Sequence, residues 1–159
     1  MIEAVRPVRP SRRALQVSQD RLTEKTFLSD LGLKTAPFAA VDDADTLTAA
    51  LDQIGAPSIL KTRRFGYDGK GQARLKSADD APQAIADMAG QPAILEGFVD
   101  FSCEISVIGA RGLDGQVACF DPVENVHRKG ILRTTTVPAN VRAAQRAAAD
   151  LLTGQILTA

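Results

Sequence analysis

Apolar positions along the chain recur first with helical spacing and then with strand spacing. From about Ser18, Phe27, Leu28 and Leu31 fall on one face, and Gly32 stands where a left-handed C-terminal cap belongs. A clearer helix follows: Leu47, Ala50, Leu51 and Ile54 recur at i, i+3, i+4 and i+7, with Asp43 or Asp45 as N-cap and Gly55 as the stop. Pro57 opens a short apolar strand, Ser58-Ile59-Leu60, that runs into Lys61. Residues 72–76 predict another strand, Asp79 or Asp80 before Pro82 starts a helix to about Met88, and Ala93 to Glu96 reads as a buried strand. Strands over 102–110 and 116–120 are joined across Leu113-Asp114-Gly115, where Asp-Gly signals a hairpin. A last helix from about Asn140 carries Val141, Ala144, Ala148 and Leu151 on one side. The short links between strands predict an α+β fold, an antiparallel sheet with helices packed on one side, rather than a doubly wound parallel sheet.

A chain of 159 residues with 45% hydrophobic content can bury one ordinary core. Nineteen basic and nineteen acidic side chains cancel, so no overall field draws it to nucleic acid or to a membrane surface, and any bound anion needs a local site. No apolar run is long enough to span a bilayer, and the N-terminus lacks the apolar core of a secretory signal, which makes the cytoplasm the expected compartment. Cys103 and Cys119 fall in expected strands without CxxC spacing and read as small buried hydrophobes, not a disulfide. With His127 the one histidine, zinc has few ligands to draw on, whereas a hard cation held by carboxylates and phosphates stays open. Residues 1–13 set Arg6, Arg9, Arg12 and Arg13 against Glu3, with Pro7 and Pro10 interrupting any helix. They read as a tail, as a connecting stretch after a missing domain, or as an organelle-targeting segment.

The densest chemistry lies between two expected strands. Gly66, Gly69 and Gly71 allow positive φ and close approach of backbone to a ligand, and Lys61, Arg63, Arg64 and Lys70 bracket them. Such a loop is either a flexible hairpin tip or a place where amides and cations converge on polyphosphate. The spacing G-x-x-G-x-G is not the dinucleotide fingerprint, a strand follows it, and the Gly-Lys-Ser/Thr ending of a P-loop is absent. What remains is a loop between antiparallel strands that closes over phosphates. Glu96 taken alone reads as a rim carboxylate in a surface ion pair, and His127 alone as structural. Glu104 alternates with Cys103, Ile105 and Val107, and so points where a carboxylate can accept from two hydroxyls.

Lys61 through Gln72 resembles the phosphate loop of the ATP-grasp 5-(carboxyamino)imidazole ribonucleotide synthases. The likeness includes Gln19-Asp20-Arg21-Leu22-Thr23-Glu24-Lys25, Phe101 through Val107, and Pro122 through Thr134, in the same order. It covers roughly residues 8 to 152. The resemblance implies an ATP-grasp lid subdomain over residues 18–110 and the start of a second, truncated ATP-grasp subdomain over 111–159. Residues 1–17 become a connecting segment after a missing N-terminal domain. It gives Lys61 contact with nucleotide phosphates, and makes Gly66, Tyr67, Asp68, Gly69, Lys70, Gly71 and Gln72 a mobile lid, with Tyr67 and Lys70 toward the carboxylating centre. Glu96, Gly97, Phe98 and Val99 become the hinge that faces adenine, Glu104 holds the ribose hydroxyls, and His127 and Arg12 line the nucleotide site, with Arg13 the alternative after a one-residue shift. The implied reaction joins bicarbonate to 5-aminoimidazole ribonucleotide through carboxyphosphate as ATP becomes ADP and phosphate. Magnesium is implied too, with its ligands downstream of the last helix and outside this chain, so the chain alone is expected not to turn over. The full-length protein is a candidate homodimer. A different ATP-grasp carboxylase or ligase, and a non-catalytic nucleotide-binding or assembly fragment, are the alternatives.

Overall fold

A computed structural model describes residues 5–66, 70–128 and 130–159. Tyr67, Asp68 and Gly69 of the expected loop lie outside the described residues. The chain forms two compact units: one reaches Asp30 and resumes over Lys34–Val99, and the other comprises Leu31–Leu33 and Asp100–Ala159.

The first unit runs α1 (Arg12–Ser18), α2 (Arg21–Asp30), β1 (Phe38–Val41), α3 (Ala44–Ile54), β2 (Ser58–Thr62), β3 (Gln72–Leu75), a 3-10 turn (Ala78–Asp80), α4 (Ala81–Asp87) and β4 (Ala93–Gly97). Helix α1 begins earlier than the apolar pattern predicts. Ser11 caps it by accepting from the Ala14 N–H, and Pro10 lies just ahead of that cap, where a proline breaks nothing. Helix α3 forms as expected: Asp43 accepts from the Thr46 N–H at 2.8 Å, Thr46 Oγ1 accepts from the Asp43 N–H at 2.9 Å, and Gly55 ends the helix at φ +83.

The four strands pair antiparallel in the order β1-β4-β2-β3. Alternation along each strand separates two faces. One face carries Val41, Leu60, Leu75, Ala93 and Leu95 and packs with Leu47, Ala50 and Leu51 of α3 and Ala84 and Met88 at α4, forming the core. The register lines up Phe38, Glu96, Ile59 and Arg74 across the other face, with Ala40, Ile94, Lys61 and Gln72 in the next row. Helices α3 and α4 therefore occupy one side of the sheet, and Lys61 and Glu96 lie on the other, where Lys25 of α2 reaches Glu96.

The second unit contains β5 (Glu104–Ser106), β6 (Gly109–Arg111), β7 (Val117–Cys119), β8 (Val123–Arg128), β9 (Ile131–Thr136) and α5 (Ala143–Thr158). The single strand expected over 102–110 is two strands in different sheets, since β5 joins β8 and β9 while β6 pairs with β7 in the Asp-Gly hairpin. Cys119 is exposed, against its expected burial. Helix α5 presents a different face from the expected one. A Cβ on Gly109 would lie 2.8 Å from both Leu157 Cδ1 and Thr153 Cγ2, so the bare glycine lets α5 seat these residues on β6 and turns Leu151 outward, 64% exposed.

Leu60→Ala, at a position with 0% exposure, is expected to lower stability by about 3 kcal/mol, whereas Leu151→Ala should stay within about 0.5 kcal/mol. Urea unfolding midpoints of the two variants check this contrast.

Candidate functional site

The base of the glycine loop is fixed to the start of α2. Asp20 is 3% exposed, and its Oδ1 accepts from the Leu22 and Thr23 N–H groups, which caps the helix. Arg63 donates to the same carboxylate through Nε (3.0 Å to Oδ1) and Nη2 (2.8 Å to Oδ2), and Arg64 Nε donates to Oδ2 at 3.2 Å. Arg21 completes the clamp: its N–H donates to the Arg63 carbonyl, its Nη1 to the Thr62 carbonyl at 2.9 Å and its Nη2 to the Gly66 carbonyl at 3.4 Å. Between these ties Phe65 holds φ +60, a conformation that costs an L side chain energy and persists when its surroundings over-determine it. Arg63 and Arg64, grouped by sequence with the cations that bracket the glycines, both bond Asp20. A cleft of about 600 Å³ opens beside the clamp, lined by Asp20, Arg63, Arg64, Phe65, Gln91 and Pro92.

The far end of the loop is equally constrained. The Thr62 N–H donates to the Gly71 carbonyl at 2.8 Å, and Gly71 sits at φ +67 where a Cβ would lie 2.6 Å from Thr62 Oγ1. Only glycine fits there. A Cβ on Gly66 would meet the Arg21 guanidinium at 3.0 Å and the Lys70 carbonyl at 3.2 Å. Lys70 is exposed, and Gln72 stands opposite Lys61 in the ladder.

Lys61 Nζ donates to Glu96 Oε2 at 3.0 Å, and Lys25 Nζ from α2 lies 3.4 Å from the same oxygen. Glu96 is 8% exposed, so it is a buried carboxylate with two ammonium partners and not a rim residue. Two ammonium groups share this one carboxylate, and with Arg21 and Glu24 in the same electrostatic neighbourhood three cations face two acidic groups, which suits a polyanion. Glu24, on the same turn of α2 as Lys25, has its carboxyl pushed up from the ordinary value by desolvation, with Glu96 adding to the rise while Lys25 and Arg21 oppose it. Lys25 was legible only as part of a resembling stretch; its charge, one helical turn after Arg21, was the available signal.

Gly97, Phe98 and Val99, the expected hinge, follow Glu96 directly. The Gly97 N–H donates to the Pro37 carbonyl and the Phe98 N–H to the Pro57 carbonyl, so these two donors are already engaged. The Phe98 ring lies 4.2 Å from the Arg74 guanidinium carbon. In the second unit, His127 Nδ1 lies 3.3 Å from Glu104 Oε1, and both side chains are open to solvent. A bulge between Val126 and His127 re-aims the histidine relative to β9. Beside this pair Asn125 Nδ2 donates to Ser106 Oγ at 2.9 Å, and Thr135 Oγ1 donates to Asn125 Oδ1 at 3.0 Å, making a polar row that the sequence reading did not single out. Arg12 lies in the first turn of α1, and Arg21 bonds the Thr62 and Gly66 carbonyls of the loop. Among the described residues no three His, Cys, Asp or Glu side chains gather as a metal site.

A four-stranded antiparallel sheet, helices on one face and a glycine loop between β2 and β3 are features of one class of nucleotide-gripping domain. The model of the ATP-grasp domain matches residues 26–159, and the chain belongs to the ATP-grasp family. The N5-carboxyaminoimidazole ribonucleotide synthase of Brucella melitensis is 55% identical in an alignment 152 residues long that covers 91% of this chain and 42% of that protein. Among solved structures, the synthetase from Thermus thermophilus superposes with TM-score 0.89 at 39% identity over 98% of this chain and 42% of that one. The synthetase from Staphylococcus aureus complexed with ADP gives TM-score 0.82 at 34% identity, covering 91% of this chain and 39% of that one. The chain spans less than half the length of these relatives.

Burial alone would raise the Asp20 pKa, but hydrogen bonds from Arg63, Thr23 and Arg64, with the charge of Arg63, bring it down from 3.8 to about 2. A carboxyl depressed in the folded state contributes stability that is present above the unfolded value and is lost as pH falls through the folded one. The stability gap between the wild type and Asp20→Asn should therefore shrink by about 2 kcal/mol between about pH 6 and pH 2. Urea unfolding of both proteins across that range measures it; a gap independent of pH contradicts the assignment.

Proposed function

We propose that this chain is the ATP-gripping part of an N5-carboxyaminoimidazole ribonucleotide synthase, which carboxylates 5-aminoimidazole ribonucleotide with bicarbonate in purine biosynthesis, in the cytoplasm. The observation that carries the reading is the 55% identity to the Brucella synthase over 91% of the chain. The buried Lys25–Glu96–Lys61 cluster and the clamped loop support it with chemistry suited to a triphosphate.

A bicarbonate oxygen attacks the γ-phosphorus of ATP, the bond to the ADP oxygen breaks, and carboxyphosphate forms. The amine of the ribonucleotide then takes up the carboxyl carbon, either from carboxyphosphate or from the carbon dioxide it releases, as phosphate leaves and the amine loses a proton. Such transfers depend on positioning and on charge neutralisation rather than on a protein nucleophile. Lys61 and Lys25 neutralise phosphate charge, and Glu96 keeps both ammonium groups on the sheet face opposite the apolar core. Gly66 to Gln72 cover the phosphates and exclude the water that would hydrolyse carboxyphosphate. With the Gly97 and Phe98 amides engaged, adenine is read by the Val99 amide and the hinge carbonyls. Arg21 joins the nucleotide-lining residues, Glu104 receives the ribose hydroxyls, and His127 lies beside it. The family's chemistry calls for magnesium; the described residues do not assemble a site for it, so no step here passes through a metal.

Lys61→Ala leaves Glu96 with Lys25 as a partner, so the sheet should persist while ATP binding weakens by at least about tenfold, or about 1.4 kcal/mol. Calorimetric titration of ATP into the wild type and the variant tests this. Absence of ATP binding by the wild type would remove the proposal's support.

A further inference from the structure

We propose that Asp20 is a positioning residue for the phosphate end of the nucleotide, acting through Arg63 and Arg64 to fix the base of the loop on α2. This rests on the nucleotide reading above and adds to it a residue ahead of the span, 26–159, that the family model matches.

The argument begins with what a helix cap requires. One side-chain oxygen suffices, and Oδ1 already accepts from the Leu22 and Thr23 amides. Serine or asparagine would cap as well. The second oxygen and the negative charge are spent on the loop: Oδ2 accepts from Arg63 Nη2 and from Arg64 Nε. A bidentate guanidinium pair with the carboxylate buried is both strong and directional, so it fixes where the backbone of Arg63 and Arg64 can lie.

The consequences run in both directions from that point. Arg63 follows Thr62 at the end of β2, two residues after Lys61, and Arg64 leads into Phe65 and Gly66. On the helix side, Arg21 fastens the Thr62, Arg63 and Gly66 carbonyls, and Lys25 one turn later meets Glu96 and through it Lys61. A single helix of ten residues thereby sets both the entry of the loop and the ammonium groups beside it. Loss of the Asp20 charge weakens the hold on two guanidinium groups and leaves the loop tied to α2 by the Arg21 bonds alone, with the strand end at Gly97 untouched. Ligands with a polyphosphate should then lose affinity, and those without one should not.

Asp20→Asn separates capping from tethering, because asparagine caps a helix about as well as aspartate but puts an NH2 group where one carboxylate oxygen met arginine. With the whole chain, the dissociation constant for ATP is expected to rise at least about tenfold and that for adenosine to stay within about twofold. Asp20→Glu, which restores the charge, should recover part of the ATP affinity. In the nucleotide-free protein, hydrogen exchange of the amides at 64–66 should accelerate in Asp20→Asn while that of β4 does not. Equal losses for ATP and adenosine, or no loss for either, overturn the proposal. Wild type that binds neither ligand would defeat the nucleotide reading, and the exchange measurement alone would then decide the tether, with unchanged exchange at 64–66 overturning it.

Discussion

The carboxylate of Asp20 is the group around which the first unit's functional half is arranged. A buried carboxylate is tolerated only when it is hydrogen-bonded and its charge is met, and Asp20 meets both conditions by recruiting two helix amides and two arginines. Those arginines belong to the segment that leaves β2, so satisfying one buried charge also determines the path of the loop. The positive φ at Phe65 is a product of the same arrangement, because the backbone on either side is held by Arg21 and by the guanidinium pair. Strain of this kind is stable only where neighbouring contacts leave the chain no alternative.

Glu96 solves a related problem in the opposite sense. Its two lysine partners exceed its charge, so the cluster keeps positive character although it is mostly buried. A carboxylate placed this way restrains flexible ammonium groups before any ligand arrives, which reduces the ordering cost of binding. The antiparallel register makes this geometry unavoidable: Glu96 stands opposite Ile59, two residues along β2 from Lys61, so both polar side chains emerge from the face opposite the apolar core, where α2 brings Lys25 to them.

Local signals in the sequence were sufficient where a single element decides the outcome. The Asp43 cap, the Gly55 stop, the i, i+3, i+4, i+7 face of α3 and the Asp-Gly hairpin all stand as read, because caps and turns depend on neighbouring residues. The readings that changed depend on contacts far along the chain. The pairing of Arg63 and Arg64 with Asp20 was not legible because their partner lies more than forty residues earlier. Glu96 looked like a rim residue because its burial follows from three strands meeting around it. In α5 the alanine-rich composition blurs the contrast between faces, and the choice falls to Gly109, which has no side chain to keep the helix away.

The two units differ in how firmly they can hold a side chain. In the first, an apolar core of helices and sheet lies directly beneath the strands that carry Lys61 and Glu96, so these residues rise from elements whose positions are set by packing. In the second, Pro122 and Ala139 are the buried residues among those described, and Glu104, Asn125 and His127 depend on strand pairing and on the polar row from Ser106 to Thr135. Strand hydrogen bonds and exposed polar contacts each contribute little net stability, so local opening should require less free energy there than in the helix-covered sheet. A firmly placed Lys61–Glu96 pair and more readily displaced groups at Glu104 and His127 are then consequences of how much apolar surface each unit has beneath its strands.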